Sequence, residues 1–287
     1  MAENAKAGNT MEGNEFYNYV KKWVVNDYKT PGIKAEVIID MLLSEYVAEI
    51  VQNAINEGKE EKDKVVLELV SKEFPIRTLT GDAPNFQVNK TNRNAKVDYL
   101  LASKKPDNSD APWQPEKLYF VELKTTKDSF DDDQLKRMIY SAATAKDSLE
   151  FYKKASGTKL SKGKYGKYEG IMDYKVNAIT GKLVEVKNID IISQTPSIEC
   201  VYLTMRPLQL KDSEVIVGGK TYKGYLAKSS KTGKGIPIWV VDFMKYKQDP
   251  QKNEDKRPNW ETIRAIFEEA ITTTTGQQSG DKNVGEH

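Results

Sequence analysis

Residues 96–102 read KVDYLLA, and residues 117–124 read KLYFVELK. Both runs are dominated by aromatic, β-branched and leucine side chains. The linker between them carries Pro106, Asp107, Asn108, Pro112 and Pro115. Such a pattern predicts two strands joined by a loop. Each run places one acid in an apolar setting, Asp98 in the first and Glu122 in the second. Residues two apart on a strand point to the same face, so Glu122 and Lys124 share a side. If the two strands pair, Asp98 comes beside them. Carboxylates that face one cleft repel each other, and a cation bound between them relieves that cost. All-oxygen ligation suits Mg2+ or Mn2+. An ion of this kind activates water and stabilises charge on a phosphate, while Lys124 positions the water or neutralises the developing charge.

Working outward, a first helix is predicted over 15–28, and Thr30-Pro31-Gly32 punctuates it. Ile38, Ile39, Leu42, Leu43, Tyr46, Val47, Ile50, Val51 and Ala54 have helical spacing and predict a helix over 34–56, ended by Gly58. Residues 65–72 fit a short helix or a strand, and a further strand is predicted around 74–79. Asp131, Asp132 and Asp133 open a predicted helix over 131–154, where acids favour the helix dipole. The second half reads as strands at 170–177, 182–192, 199–205, 213–217 and 236–243, followed by a helix at 259–272. The polar ends, 1–14 and 273–287, are expected to be disordered. The order gives an α/β (α+β) fold. It is expected as a single domain over 15–272, with a mixed central sheet flanked by helices and a β-rich C-terminal extension.

The inventory excludes several chemistries. The only histidine is His287, and the only cysteine is Cys200. A Ser-His-Asp triad, a Cys-His pair and a histidine or multi-cysteine zinc site are therefore not expected. Gly218-Gly219-Lys220 is too short for a phosphate loop, so no nucleotide cofactor is expected. No apolar run is long enough for a membrane span. The N-terminus lacks a signal-peptide pattern, and one cysteine fits a reducing cytoplasm, the expected location. Net charge is only +2, so nucleic-acid binding must come from a local patch. Residues 151–170 supply one: Lys153, Lys154, Lys159, Lys162, Lys164 and Lys167 stand against Glu169, interleaved with Tyr152, Tyr165 and Tyr168. Two readings stand, a DNA-binding surface in which lysines meet phosphates and tyrosines stack on bases, or a solvated lysine-rich loop.

The strand motif resembles the PD-(D/E)XK nuclease superfamily. Asp98, preceded by Val97 in place of Pro, stands for its first Asp, and Glu122-Leu123-Lys124 stands for D/E-x-K. Thr125-Thr126 and a following helix with Gln134 and Tyr140 are similar to the RecB-type and lambda-exonuclease-like branch, although the Gln-to-Tyr gap is longer here. The resemblance spans about 34–207. It implies a restriction-endonuclease-like α-β-β-β-α-β core and Mg2+- or Mn2+-dependent hydrolysis of DNA. It also implies a metal held by Asp98, Glu122, a helix acid and the backbone carbonyl of Val121 or Leu123, with Gln134 orienting DNA or Lys124. The helix acid is Glu49 or Glu45, with Glu49 preferred; Glu68 and Glu73 are weaker candidates. E-x-K alone is common, and Glu57-Gly58-Lys59 and Glu60-Glu61-Lys62 also match. A rival set is Asp173 with Glu185-Val186-Lys187. The alternative functions are a nucleic-acid-binding module that has lost cleavage and a protein-interaction module. A homodimer is left open.

Overall fold

A computed structural model of the chain describes residues 34–81, 85–89, 95–104, 117–125, 130–155, 163–168, 176–177, 182–183, 197–205, 207–228, 233–248 and 259–278. The chain divides into two compact units, Val47–Phe243 and a second made of Met1–Tyr46 with Met244–His287. The expected helix at 15–28 and the rival set at 173 and 185–187 lie outside the described residues.

The smaller unit holds α1 (Lys34–Leu43) and α5 (Trp260–Gln278). Asn259 starts α5 by accepting the Glu261 N–H on its side chain at 2.8 Å, a side-chain cap that satisfies one of the first-turn donors. The helix runs past the expected end at Thr272, because no proline interrupts it. Trp260 is fully buried. Its ring centroid lies 5.2 Å from those of Tyr46 and Tyr246, and its indole N–H donates to the Tyr246 carbonyl at 3.0 Å.

The larger unit is built on one mixed nine-stranded sheet. In chain order its strands are β1 (Val66–Ile76), β2 (Leu79–Thr80), β3 (Asn85–Val88), β4 (Ala95–Lys104), β5 (Lys117–Lys124), β8 (Ser197–Thr204), β9 (Ser213–Val217), β10 (Lys220–Leu226) and β11 (Ile236–Asp242). A separate two-stranded ladder pairs β6 (Val176–Asn177) with β7 (Lys182–Leu183). The strand order across the sheet is β1-β4-β5-β8-β11-β10-β9-β3-β2. β4 pairs antiparallel with both β1 and β5, whereas β5, β8 and β11 run parallel. The ambiguous 65–72 segment is thus strand. The expected β-rich extension is not a separate layer, because β9, β10 and β11 join the same sheet.

β5 and β8 are each buried along seven consecutive residues. Parallel strands covered on both faces lose the in–out alternation of a half-exposed strand. Its helices include α2 (Val47–Asn56), which packs on β1 and β11, α3 (Asp132–Ala143), which packs on β8, β9 and β10, and α4 (Ala145–Lys154). Gly224 of β10 permits the close approach of α3: a Cβ there would meet Ile139 Cδ1 and Ile238 Cδ1, each at 2.7 Å. Gly218 and Gly219 have φ of 56° and 78°, as a two-residue turn with both central residues left-handed requires between β9 and β10.

Two long expected helices are each interrupted. Between α1 and α2 the Ser44 hydroxyl donates to the Met41 carbonyl at 2.9 Å. Between α3 and α4, Thr144 leaves helical geometry (φ −127°, ψ 33°), and its hydroxyl donates to the Tyr140 carbonyl at 2.7 Å. Short hydroxyl side chains that bond local carbonyls compete with the helical ladder, and periodicity alone does not register this.

Cys200 lies on β8 with no exposure. Burial, with the Glu199 charge beside it, pushes its thiol far above the ordinary range. We expect the folded chain to leave Cys200 unmodified by an aromatic disulfide reagent at pH 8 over minutes, with full reaction on unfolding in guanidinium. Rapid stoichiometric labelling of the folded protein would show that β8 is not a buried strand.

Candidate active site on the central strands

The β4–β5 ladder runs from Ala102–Leu118 to Tyr99–Val121. One step beyond it the Leu123 N–H donates to Asp98 Oδ2 at 2.6 Å. A charge-assisted bond therefore continues the strand pairing where backbone pairing ends. On the other side of β4, Asp98 and Glu73 stand between the pairs Lys72–Tyr99 and Phe74–Val97. Glu73 has φ 52°. A left-handed conformation is disfavoured for a residue with a Cβ, and β1 also shifts register between Leu69 and Ser71. The β1–β4 pairing is thus distorted at Asp98 and again between Leu69 and Ser71.

Glu122 and Lys124 follow on β5, 5% and 8% exposed. Their spacing of two puts them on one face, and Lys124 Nζ donates to Glu122 Oε1 at 3.0 Å. The same ammonium donates to Gln134 Oε1 at 2.7 Å. Gln134 comes from the first turn of α3, whose N-cap is Asp131, its carboxylate accepting the Asp133 N–H at 2.9 Å. Asp98, Leu123, Glu122, Lys124 and Gln134 are therefore placed together by β4, β5 and α3.

The other expected residues fall elsewhere. Glu49 is half-buried in the first turn of α2, and Glu45 is exposed. Among the described residues no group of three Asp, Glu, His or Cys side chains gathers in a metal-binding arrangement, so the carboxylates that belong to this site are Asp98 and Glu122. Tyr140 is buried, its ring edge-on to Tyr222 at 5.2 Å. Burial raises its hydroxyl above the ordinary range.

The lysine-rich run divides. Lys153 and Lys154 are exposed at the end of α4, while Lys162 and Lys159 lie outside the described residues. Residues 163–168 form a short helix. Its Lys167 donates to the carbonyls of Lys72 and Glu73 at 2.9 and 3.1 Å, and its Tyr165 is half-buried against the core. Tyr152 and Tyr168 do not serve as stacking platforms. Both are buried, 0% and 1% exposed, and the Tyr168 hydroxyl donates to the Pro75 carbonyl at 2.8 Å. An aromatic ring offers its large apolar area to a core before it offers a face to solvent.

Tyr202 is a site residue that the predicted strand at 199–205 did not announce. It lies opposite Glu122 in the parallel β5–β8 register. It is fully buried, and its hydroxyl has no hydrogen-bond partner. Burial first, and then the Glu122 charge, raise its pKa far above the ordinary range. Only the register of two strands distant in sequence brings it there.

Comparison with family models, curated proteins and solved structures finds no match for the chain.

A buried ion pair is costly to break from one side only. Lys124→Met is expected to destabilise the fold by about 3–5 kcal/mol, and Glu122→Gln with Lys124→Met by less than the sum of the single changes. Urea unfolding of the four proteins checks this. Additivity within about 0.5 kcal/mol would mean that the two side chains are not coupled.

Proposed function

We propose that the chain is a metal-dependent nuclease that hydrolyses DNA phosphodiester bonds, with Asp98, Glu122 and Lys124 as its core. The observation that carries the reading is the hydrogen-bonded set linking Asp98 on β4 to β5, and Lys124 to both Glu122 and Gln134. The element order α2-β1-β4-β5-α3-β8, with β4 antiparallel to β1 and β5 and with β8 parallel to β5, is the order expected of a restriction-endonuclease-like core. The short β2 and β3 are insertions between β1 and β4. These features support the resemblance to PD-(D/E)XK nucleases; fold alone does not assign the chemistry.

The donor set fits a hard divalent cation. Two carboxylates on adjacent strands supply oxygen ligands, and Mg2+ or Mn2+ commonly takes one or two carboxylates and completes its shell with water and phosphate oxygens. Asp98 and Glu122 would hold it, with a backbone carbonyl of Leu123 as a further proposed donor; the expected helix acid, Glu49, does not gather with them. Bound there, the ion supplies an activated water and charge stabilisation. Lys124 neutralises negative charge on the attacked phosphate, and Gln134 orients the ammonium that does so. Asp98 also fixes the β5 backbone through the Leu123 N–H.

A cationic surface adjoins this set. Lys96 lies two residues before Asp98 on β4 and pairs with Glu73. Lys164 and Lys167 are both held below the ordinary lysine range, first by burial and then by the nearby Lys96 charge. Three ammonium groups near one acid are expected to attract a phosphate backbone. Lys153, Lys154, Lys162 and Tyr165 are proposed to extend that contact. The direct Lys124–Glu122 ion pair also fits a second reading, a nucleic-acid-binding module without cleavage.

Circular and linear DNA, single- and double-stranded, incubated with Mg2+ or Mn2+ should be cut by the parent chain. Cutting is expected to fall by about 100-fold or more in Asp98→Asn and in Lys124→Ala. DNA binding without cutting in either metal would leave the second reading. Neither binding nor cutting would remove both. Lys164→Glu with Lys167→Glu is expected to weaken binding of every sequence alike and to flatten its salt dependence; unchanged affinity at low salt would take the lysine-rich segment out of the DNA surface.

A further inference from the structure

The polar groups buried beneath α4 belong to none of this chemistry. Arg77 follows β1 and is 7% exposed. One terminal nitrogen, Nη2, donates to the Asn89 carbonyl at 2.9 Å. The guanidinium carbon lies 3.4 Å from the centroid of the Phe151 ring. The other terminal nitrogen, Nη1, is buried without a hydrogen-bond partner, and so are Tyr152 Oη and Ser148 Oγ. Ser148 and Tyr152 are four apart on α4 and so share one of its faces. The Ser148 hydroxyl is close enough to that of Tyr168 to act on it as a hydrogen-bonding neighbour, although no bond of regular geometry forms. Tyr168 Oη is already committed to the Pro75 carbonyl, and the Tyr152 and Tyr168 rings stand 5.2 Å apart.

The charge here is as poorly compensated as the hydrogen bonding. Burial opposes the Arg77 cation, and its neighbours are tyrosine hydroxyls. Among the described residues the one carboxylate acting on it is Asp147, which is itself exposed. A buried guanidinium remains charged, and a buried charge calls for a counter-charge. The groups without a bond of regular geometry are the Nη1 amino group, with two N–H bonds, and two hydroxyls, all able to donate. A water molecule would accept from them but would balance no charge, whereas an anion does both.

We propose that Arg77 Nη1, Tyr152 Oη and Ser148 Oγ hold a monoatomic anion of halide size. The enclosing side chains are almost wholly buried (Arg77 7%, Tyr168 1%, Tyr152 and Ser148 0%). Such a site admits an ion through local opening and not the end of a larger molecule. The anion is structural: it ties the end of β1 to α4.

The test is thermal unfolding of the full chain in chloride, bromide or gluconate at matched ionic strength. A ligand that binds only the folded state raises the midpoint in a saturable way. Chloride and bromide are expected to raise it by a few degrees over gluconate in the parent, less in Tyr152→Phe and not at all in Arg77→Met. If Arg77→Met does not fold, Tyr152→Phe carries the comparison. Bromide-soaked crystals should give an anomalous peak within contact of Nη1. Equal midpoints in the three salts, the same halide effect in parent and Tyr152→Phe, or a water in place of the bromide peak would overturn the proposal.

Discussion

A carboxylate and an ammonium buried together on a central strand constrain much of the rest of the structure. β5 lies between β4 and β8, and its residues from Leu118 onward are covered on both faces. Removing Glu122 and Lys124 from water costs several kcal/mol per ion by order of magnitude, and their attraction repays it only with good geometry and further hydrogen bonds. Gln134 supplies one such bond to Lys124. Its placement requires α3 to begin close to the end of β5, and the Asp131 cap sets that beginning. Hydrophobic residues of similar volume would fill the same space without the desolvation cost. The pair is therefore poorly explained by stability, which is why it supports a chemical role.

The strands that carry the pair were readable because their chemistry is local. Period-two spacing alone puts Glu122 and Lys124 on one face, and proline-rich linker composition separates β4 from β5. The same local reading found α3, whose first turn is acidic and whose apolar residues Leu135, Met138 and Ile139 recur at helical spacing. Local patterns were blind to Ser44 and Thr144, because a hydroxyl bonding to a carbonyl three or four residues back does not alter hydrophobic periodicity. They left 65–72 ambiguous, since Val65, Val66, Leu69 and Val70 suit either period. Long-range register was beyond them altogether. Tyr202 comes opposite Glu122 through a parallel pairing that spans 80 positions of sequence, and nothing in the 199–205 run distinguishes it from other buried strands.

The lysine-rich segment shows how composition misleads and informs at once. Interleaved lysine and tyrosine suggested alternating phosphate contacts and base stacking. The tyrosines obey a different rule: Tyr152 and Tyr168 bring large apolar rings to the core, where Phe74 and Tyr168 stack with centroids 4.8 Å apart. With those rings buried, the lysines of the 163–168 helix are brought to the edge of β1. The segment is basic where the sequence said it was, yet its aromatic residues anchor that charge instead of sharing its surface.

That anchoring reaches the candidate site through the backbone. Lys167 donates to the carbonyls of Lys72 and Glu73; Lys72 still pairs with Tyr99, and Glu73 is where β1 departs from regular pairing, opposite Asp98. A left-handed residue other than glycine costs on the order of 1–2 kcal/mol, so surrounding contacts must hold Glu73 in that state. Lys167 supplies two through the main chain, and Lys96 supplies another through the Glu73 carboxylate. Were β1 regular here, Glu73 and Asp98 would complete an ordinary cross-strand pair, a repulsive arrangement for two acids directly opposite each other. The distortion relieves that repulsion by giving Glu73 its own lysine and leaving Asp98 to the Leu123 N–H of β5. One kink in an outer strand thus separates two acids that the register would otherwise bring together, while Asp98 accepts the Leu123 N–H of β5.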